Sequence, residues 1–437
     1  MLDIVEKAIK EALKEGATEA HATLRRSRVC EVELESDSIS RTRWSSSRIL
    51  TIYAIVGKRI ARSSTRDLSE RGIRKAVTSA VKMARVSTEN PLWSGLPHPK
   101  PYPDVEDIYD SRIESLDVSE VVEMAKVALQ EVKEYDIRVL VMQGRVSAGS
   151  SEIYIANSNG ILTSDKRTSL SAIVVTVAKE AGEIGSFAHE YQVSRKLDID
   201  VGEISRKAAR KALESLGAKS IRSFRGSVIF DFEVSSLIFA SLAQAYNGDN
   251  VWKGSSPFKN KLGDKVAVEE LTVEDNGIMP SGIASSKFDG EGSPRQRTLI
   301  IEHGILKNFI NNTYTANILE MEPTGNAATI LSVSPANTVV KPGTYKLDEM
   351  VEEVKRGLLV RRFSGIIKFQ DGIVSGVAKQ SFLIERGEIV HPVKECMISG
   401  NLYEMLNNIS AISKDVEVKG IFVVPALRVE NISIVGK

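Results

Sequence analysis

The stretch Ser151-Glu152-Ile153-Tyr154-Ile155-Ala156-Asn157-Ser158-Asn159-Gly160 decides what kind of fold the chain adopts. Ile153 and Ile155 fall on one face of an extended strand, Glu152 and Tyr154 on the other, and the run ends at Asn159-Gly160, a dipeptide that supplies the positive φ angles of a tight hairpin turn. Return strands follow in residues 172 to 178 and 186 to 193. Amphipathic helices flank this unit: residues 118 to 134 before it, 200 to 216 after it. Helices beside an antiparallel sheet make the fold class α+β.

Towards the N-terminus, five of the 13 prolines lie between Pro91 and Pro103. Their fixed φ and missing amide donors exclude helix interior and central strand, so residues 91–107 read as an extended strap between two subregions. Before the strap, Ile4, Val5, Ala8, Ile9, Ala12 and Leu13 recur at the spacing of one helical face, and residues 68 to 86 repeat the pattern. Residues 20 to 26 and 49 to 63 read as strands.

Towards the C-terminus, glycine usage doubles, from ten in residues 1–216 to twenty in residues 217–437. More glycines mean more turns. Hairpins are expected at His303-Gly304, Asp371-Gly372 and Arg386-Gly387, with helices at residues 234 to 246, 347 to 357 and 402 to 412. The chain thus divides into an N-terminal α+β domain, 1–216, with an antiparallel sheet and packed helices, and a C-terminal mainly-β domain, 217–437, with hairpins and a few helices.

Composition narrows the function. The 437 residues carry 58 basic and 57 acidic side chains, a net charge of +1, which gives no footing for a purely electrostatic nucleic-acid or membrane binder. No apolar run nears the roughly 18 to 20 residues a membrane span requires, and the first residues alternate charged with apolar groups, unlike a signal peptide. The expected location is the cytoplasm. Cys30 and Cys396 stand far apart and outside any CxxC pair, so both are read as small buried hydrophobes.

Catalytic motifs are sparse. There is no phosphate loop, no dinucleotide fingerprint and no GxSxG elbow, and no two of the five histidines lie within five residues of each other. His189-Glu190 sits in an expected strand, where successive side chains diverge. Asp289 and Glu291 stand two apart in Phe288-Asp-Gly-Glu-Gly-Ser-Pro294. They are candidates for an acid/base pair or for cation ligands, against the commoner role of turn residues accepting backbone hydrogens. Gly325-Asn326 is either a close backbone approach to a ligand or a bend. These four residues, Asp289, Glu291, Gly325 and Asn326, are the candidate substrate-channel positions.

The order of segments in the second half resembles the TldD/PmbA family, also called modulator of DNA gyrase, and its TldE (PmbA) branch. The resemblance is carried by Lys253-Gly-Ser-Ser-Pro257 and Leu271-Thr-Val-Glu-Asp-Asn-Gly277. It continues through the 288–294 segment, Pro323-Thr-Gly-Asn-Ala327, Ile384-Glu-Arg-Gly-Glu-Ile-Val-His-Pro392 and Ile398-Ser-Gly-Asn-Leu402. The catalytic branch of that family is a zinc metalloprotease with an HExxxH helix and a cysteine near the C-terminus. With Gly254, Phe258 and Gly263 kept in register, the resemblance places Phe239 at the first histidine, Ala240 at the glutamate and Gln244 at the second histidine. Histidines five residues apart are about 140° apart around a regular helix, so the metal-binding form must break its helix. Ala243 stands at the glycine that permits the break, and Val234, Leu237, Ile238, Leu242 and Ala245 give an unbroken apolar stripe. The cysteine-bearing loop has no counterpart, since Val416-Glu-Val-Lys-Gly-Ile-Phe422 leads directly to Pro425.

The resemblance therefore implies a subunit with no cofactor and no catalytic residues of its own, paired with a TldD-like metalloprotease subunit that carries the zinc. Extended or unfolded peptide is the implied substrate. For the chain alone, the resemblance leaves the oligomeric state open, an isologous homodimer being one of the assemblies it allows. Two other readings stand beside this one: an autonomous non-metal hydrolase using Asp289, Glu291 and His303, and a homodimeric peptide-binding protein without a proteolytic partner.

Overall fold

The computed structural model describes residues 1–436. The first half contains α1 (Leu2–Lys14), β1 (Glu19–Glu35), β2 (Ser38–Val56), β3 (Arg59–Thr65), α2 (Glu70–Val86), α3 (Ser111–Ser115) and α4 (Val118–Tyr135). After these come β4 (Val139–Asn157), β5 (Leu162–Glu180), β6 (Glu183–Ile184), β7 (Ala188–Ser194) and α5 (Val201–Leu213). Its strands form one antiparallel sheet in the order β3-β2-β1-β4-β5-β6, with β7 also beside β5.

The Asn159-Gly160 turn lies where the sequence puts it. Gly160 has φ +100°, and the Asn157 carboxamide accepts the amides of Asn159 and Ile161, both at 3.0 Å. The strands on either side are far longer than periodicity indicates. β1 and β2 continue through the Arg- and Ser-rich residues 27 to 48, because every second side chain there, Cys30, Val32 and Leu34, is buried with α4. Their turn is Ser36-Asp37, both at positive φ, with the Asp37 carboxylate capping the Val141 amide. Residues 49 to 63 are two strands, broken at Gly57-Lys58.

Side-chain caps start α2 at Ser69, α4 at Asp117 with Glu120 as a capping box, and α5 at Asp200. α1 and α2 bury Val5, Ala8, Ile73 and Val77 against the inner half of one sheet face, while α4 and α5 cover the outer half.

The second half contains β8 (Phe224–Phe230), α6 (Phe232–Ala245), α7 (Gly248–Trp252), β9 (Val273–Asn276), β10 (Arg297–Glu302), β11 (Ile305–Leu306), α8 (Thr313–Leu319), β12 (Ala327–Thr329), β13 (Ser332–Val333) and β14 (Asn337–Val340). It ends with α9 (Leu347–Glu352), β15 (Arg356–Ile367), β16 (Ile373–Glu385), β17 (Glu388–Val393), β18 (Cys396–Asn401), α10 (Leu402–Asn407), β19 (Ile409–Lys419) and β20 (Phe422–Val435). Eleven strands join in one sheet, and pairing of β8 with both β15 and β20 closes β8, β15, β16, β18 and β20 into a ring. α6 packs on that ring at the centre of the largest core.

The three expected hairpins are present. Two helices are shorter than expected. α9 stops at Glu352 because Gly357 is a strand residue pressed on β8, where a Cβ would stand 2.3 Å from the Ser227 carbonyl oxygen. α10 stops at Asn407 because Ile409 onward pairs with β20. The short α7 and α8, set by the caps Asn247 and Asn312, carry no periodic signal. Among the described residues no helix is long and apolar enough to cross a membrane.

Candidate functional site

α6 begins at Asp231, whose carboxylate caps the Phe232 amide at 2.8 Å, and runs unbroken to Ala245. Val234, Ile238, Phe239, Leu242, Ala243 and Ala245 are buried, and Phe239 has no exposure at all. Leu237 departs from the expected stripe: it is 39% exposed and no part of the core. The reason is angular: at about 100° per residue the buried positions form one continuous arc, and 237 lies outside it on the side of Ala240 and Gln244. Ala240 and Gln244 are partly buried, and the Gln244 backbone carbonyl accepts the Asn250 side-chain amide at 2.8 Å.

The zinc that the family resemblance brings to mind does not suit this donor set. Phe239, Ala240 and Gln244 offer a benzyl ring, a methyl and an amide, whereas zinc takes imidazole, thiolate or carboxylate. Ala243 is wholly buried, and the helix passes through it without a break. β19 and β20 are joined by only Gly420 and Ile421, which leaves no loop to carry a thiolate. Cys396, on β18 opposite Ala378, is buried, and burial pushes its thiol up to about 11. Among the described residues no three His, Cys, Asp or Glu side chains gather to hold a metal ion.

The candidates of the glycine-rich segments meet in one buried polar cluster. Asp289 accepts the amides of Glu291 and Ser293 on Oδ1 at 3.1 and 3.0 Å, and that of Ala327 on Oδ2 at 2.9 Å. Glu291 receives three donors on Oε1: the Thr313 amide and hydroxyl at 2.9 and 2.7 Å, and the Ser293 hydroxyl at 3.0 Å. Asn326 donates to Asp275 at 2.7 Å and accepts from Thr324 at 2.8 Å. Gly325, at φ +69°, lies so close to the Pro294 carbonyl that a Cβ would be 2.2 Å from its oxygen.

These contacts make Asp289, Glu291, Gly325 and Asn326 the pins of two interlocked turns. Burial pushes Asp289 and Asp275 up to about 6, against the Arg295 charge and the hydrogen bonds; burial and then the Asp289 charge push Glu291 up to about 8. His303 sits in the β10–β11 turn with its amide on the Thr272 hydroxyl at 3.2 Å and hydrogen-bonds neither carboxylate. No hydrogen bond joins this cluster to Phe239, Ala240 or Gln244.

His189 pairs with Glu233 at 3.0 Å while Glu190, on the other face of β7, lies between Lys211 and Lys419 at 2.7 and 3.2 Å. The strap residues 91–107 do more than join two subregions. Asn157 and Asn159 hold the Pro97 and Leu96 carbonyls at 2.8 and 2.7 Å, and the Tyr102 hydroxyl reaches Gly292 of the second half at 3.0 Å.

Motif searching misses a cavity of about 480 Å³ on the helix-free face of the N-terminal sheet, roofed by Gly290, Ala328 and Thr329 and lined by Arg25, Arg62 and Arg167. Its one sequence signal is the alternation Ala22-Thr23-Leu24-Arg25, which turns a polar face away from the α1–α2 side.

Comparison with known proteins agrees with this architecture. The PmbA/TldA metallopeptidase models match in chain order: domain 1 over residues 23–84, the central domain over 111–216 and the C-terminal domain over 223–436. The chain is 29% identical over 365 residues to a metalloprotease PmbA homolog of Buchnera aphidicola, covering 81% of this chain and 79% of that protein. With metalloprotease PmbA of Escherichia coli O157:H7 it shares 27% over 430 residues, covering 95% and 92%. TldE from Thermococcus kodakarensis superimposes with a TM-score of 0.92 at 24% identity, covering 99% of this chain and 100% of that one. A Thermotoga maritima protein described as a modulator of DNA gyrase does so with a TM-score of 0.90 at 25% identity, covering 99% of each. With three consecutive domain models, near-full-length relatives and the same overall fold, the chain belongs to the PmbA/TldD metallopeptidase family.

Proposed function

We propose that this chain is a non-catalytic, TldE/PmbA-like subunit of a TldD/TldE-type zinc metalloprotease, acting in the cytoplasm. It helps enclose extended or unfolded peptides and present them to the zinc of a TldD-like partner. The observation that carries this reading is α6: a continuous helix with Phe239, Ala240 and Gln244 at the positions where the catalytic branch has its histidines and glutamate. Without an imidazole, thiolate or carboxylate there, no water is activated at that place on this chain. Its contribution is then wall and exclusion, with sheet edges on which an extended peptide can hydrogen-bond with little demand on its sequence.

The test is metal content together with cleavage of casein or an unfolded peptide. The purified chain is expected to hold no stoichiometric zinc and to cleave nothing until mixed with a TldD-like subunit bearing HExxxH. Near-equimolar zinc and chelator-sensitive peptidase activity in the chain alone would overturn the assignment.

A further inference from the structure

The helix-free face of the N-terminal sheet carries three arginines, Arg25, Arg62 and Arg167, that form no salt bridge among the described residues. Strand register aligns Arg62 with Tyr53 and His21, places Arg25 between Ile49 and Ile153, and aligns Arg167 with Ser151, Ser27 and Ser47. All line the cavity of about 480 Å³ under Gly290, Ala328 and Thr329. That volume lies in the range of roughly 300–1,000 Å³ typical of small-ligand clefts.

Farther out on the same face, cross-strand carboxylates answer the arginines: Glu31 with Arg145 at 3.5 Å, Glu33 with Arg41 at 3.6 Å. Inside the cavity the pattern stops. Among the described residues Arg25, Arg62 and Arg167 make no ion pair and no side-chain hydrogen bond, and the one acidic side chain lining the cavity, Glu152, is committed to Arg26 at 3.6 Å and to Tyr154 at 2.7 Å.

Arg167, partly buried at the floor, is the most exposed of the three to electrostatic cost. Its burial and the neighbouring charges of Arg295 and Arg25 disfavour the cation, and only Asp165 favours it. The Asp165 oxygens already accept the amides of Lys166 and Lys287 at 3.0 and 3.2 Å. Arg295 itself has Nε and Nη1 buried without partners. Unpaired buried guanidinium groups are costly, and an anion in reach removes that cost.

We propose that this cavity binds a peptide carboxylate, with Arg167 as the floor contact and Arg25 and Arg62 at the rim. A guanidinium fork matches a planar carboxylate with two parallel hydrogen bonds. Ile49, Ile153 and the Tyr53 ring give the adjoining side chain an apolar wall. The Asp289–Glu291 turn acquires a function here, since it holds the roof: Gly290 donates to the Ala327 carbonyl at 2.7 Å. The inference rests on the reading that unfolded peptides are what this subunit handles, and it names their anchoring chemistry. The carboxylate comes from a chain terminus or from an acidic side chain.

The experiment is calorimetric titration of the isolated chain, with no partner and no zinc. The probes are N-acetyl tetra-alanine with a free carboxylate, its C-terminal amide, the amide of the same peptide with one Glu, and inorganic phosphate. The free acid, the Glu-containing amide or both are expected to bind at least tenfold more tightly than the all-alanine amide, and whichever does so identifies the source. Arg167→Gln is expected to weaken that binding roughly tenfold or more, and Arg25→Gln less. Equal binding of acid and amide, binding of phosphate alone, or no binding of any peptide would overturn the proposal. The wild-type comparison needs no variant to fold, and circular dichroism checks the variants that are made. A negative titration leaves the subunit assignment standing; failure to support a partner's proteolysis while carboxylate binding persists removes that assignment alone.

Discussion

Glu291 is a carboxylate that the fold prefers to keep protonated. Its three donors all reach Oε1, and burial followed by the Asp289 charge raises it from an ordinary value near 4.5 to about 8. The unfolded chain therefore releases this proton at lower pH than the folded one, so stability is highest below the unfolded value and is lost as pH rises through the folded value. Glu291→Gln keeps the Oε1 acceptor and removes the ionisation. Measured by denaturant midpoints, the difference between variant and wild type should move in favour of the variant between pH 5 and pH 9. At about 1.4 kcal/mol per pKa unit the change is on the order of a few kcal/mol. An unchanged difference across that range would show that the pair is ionised in the fold. Sequence reading placed both carboxylates in a turn and held an acid/base role open beside it; the choice depended on partners from residues 313 and 327, which spacing in sequence cannot supply.

At the scale of an element, α6 does not become a zinc site when two histidines are placed in it. Positions 239 and 244 differ by about 140° around the axis, and Phe239 points wholly into the core while Gln244 is partly exposed. The double variant Phe239→His/Gln244→His should therefore bind no zinc by elemental analysis. It should also lose stability by roughly 3–5 kcal/mol, the usual cost of deleting a buried aromatic side chain, with some added for an unpartnered imidazole. Tight zinc binding would mean the helix opens at Ala243. The apolar content of this helix was legible in its sequence, and so was its continuity; the exposure of Leu237 was not, because the width of the covered arc is set by which strands pack on it. The long β1–β2 hairpin was half legible for a similar reason. Its arginines and serines face outward in every second place, and only α4 beneath them makes Cys30, Val32 and Leu34 a core.

At the scale of the molecule, the two sheets are joined by polar contacts as well as apolar ones. Arg195, only 6% exposed, donates to the Thr168 carbonyl at 2.9 Å in its own half and to the Gly282 carbonyl at 3.3 Å and the Ile283 carbonyl in the other. Arg361 of β15 pairs with Glu214 just beyond α5, and Trp93 of the strap stacks on Tyr314 of α8. Replacing Arg195 by Met leaves three carbonyls short of a donor, at about 1–3 kcal/mol for each buried group that water cannot reach. The expected result in calorimetry is a lower and broader thermal transition, with the two halves beginning to melt separately; a transition as sharp as wild type would show that apolar contacts alone join them. The same junction forms the arginine-lined cavity, whose floor is in the N-terminal sheet and whose roof comes from residues 290, 328 and 329.

Periodicity, turn dipeptides and proline spacing by themselves determined the α+β class, the principal helices and three C-terminal hairpins, because each is fixed by interactions within about ten residues of chain. Side-chain identity alone likewise makes Phe239, Ala240 and Gln244 a benzyl ring, a methyl and an amide, none of them a zinc-type donor. Only the tertiary structure decided that Asp289, Glu291, Gly325 and Asn326 pin turns together, that the strap ties the strand ends to the second half, and that Arg25, Arg62 and Arg167 share one cavity. Those relations join residues that lie far beyond one another's local sequence, and a charge's effect depends on the burial and counter-charges that such neighbours impose.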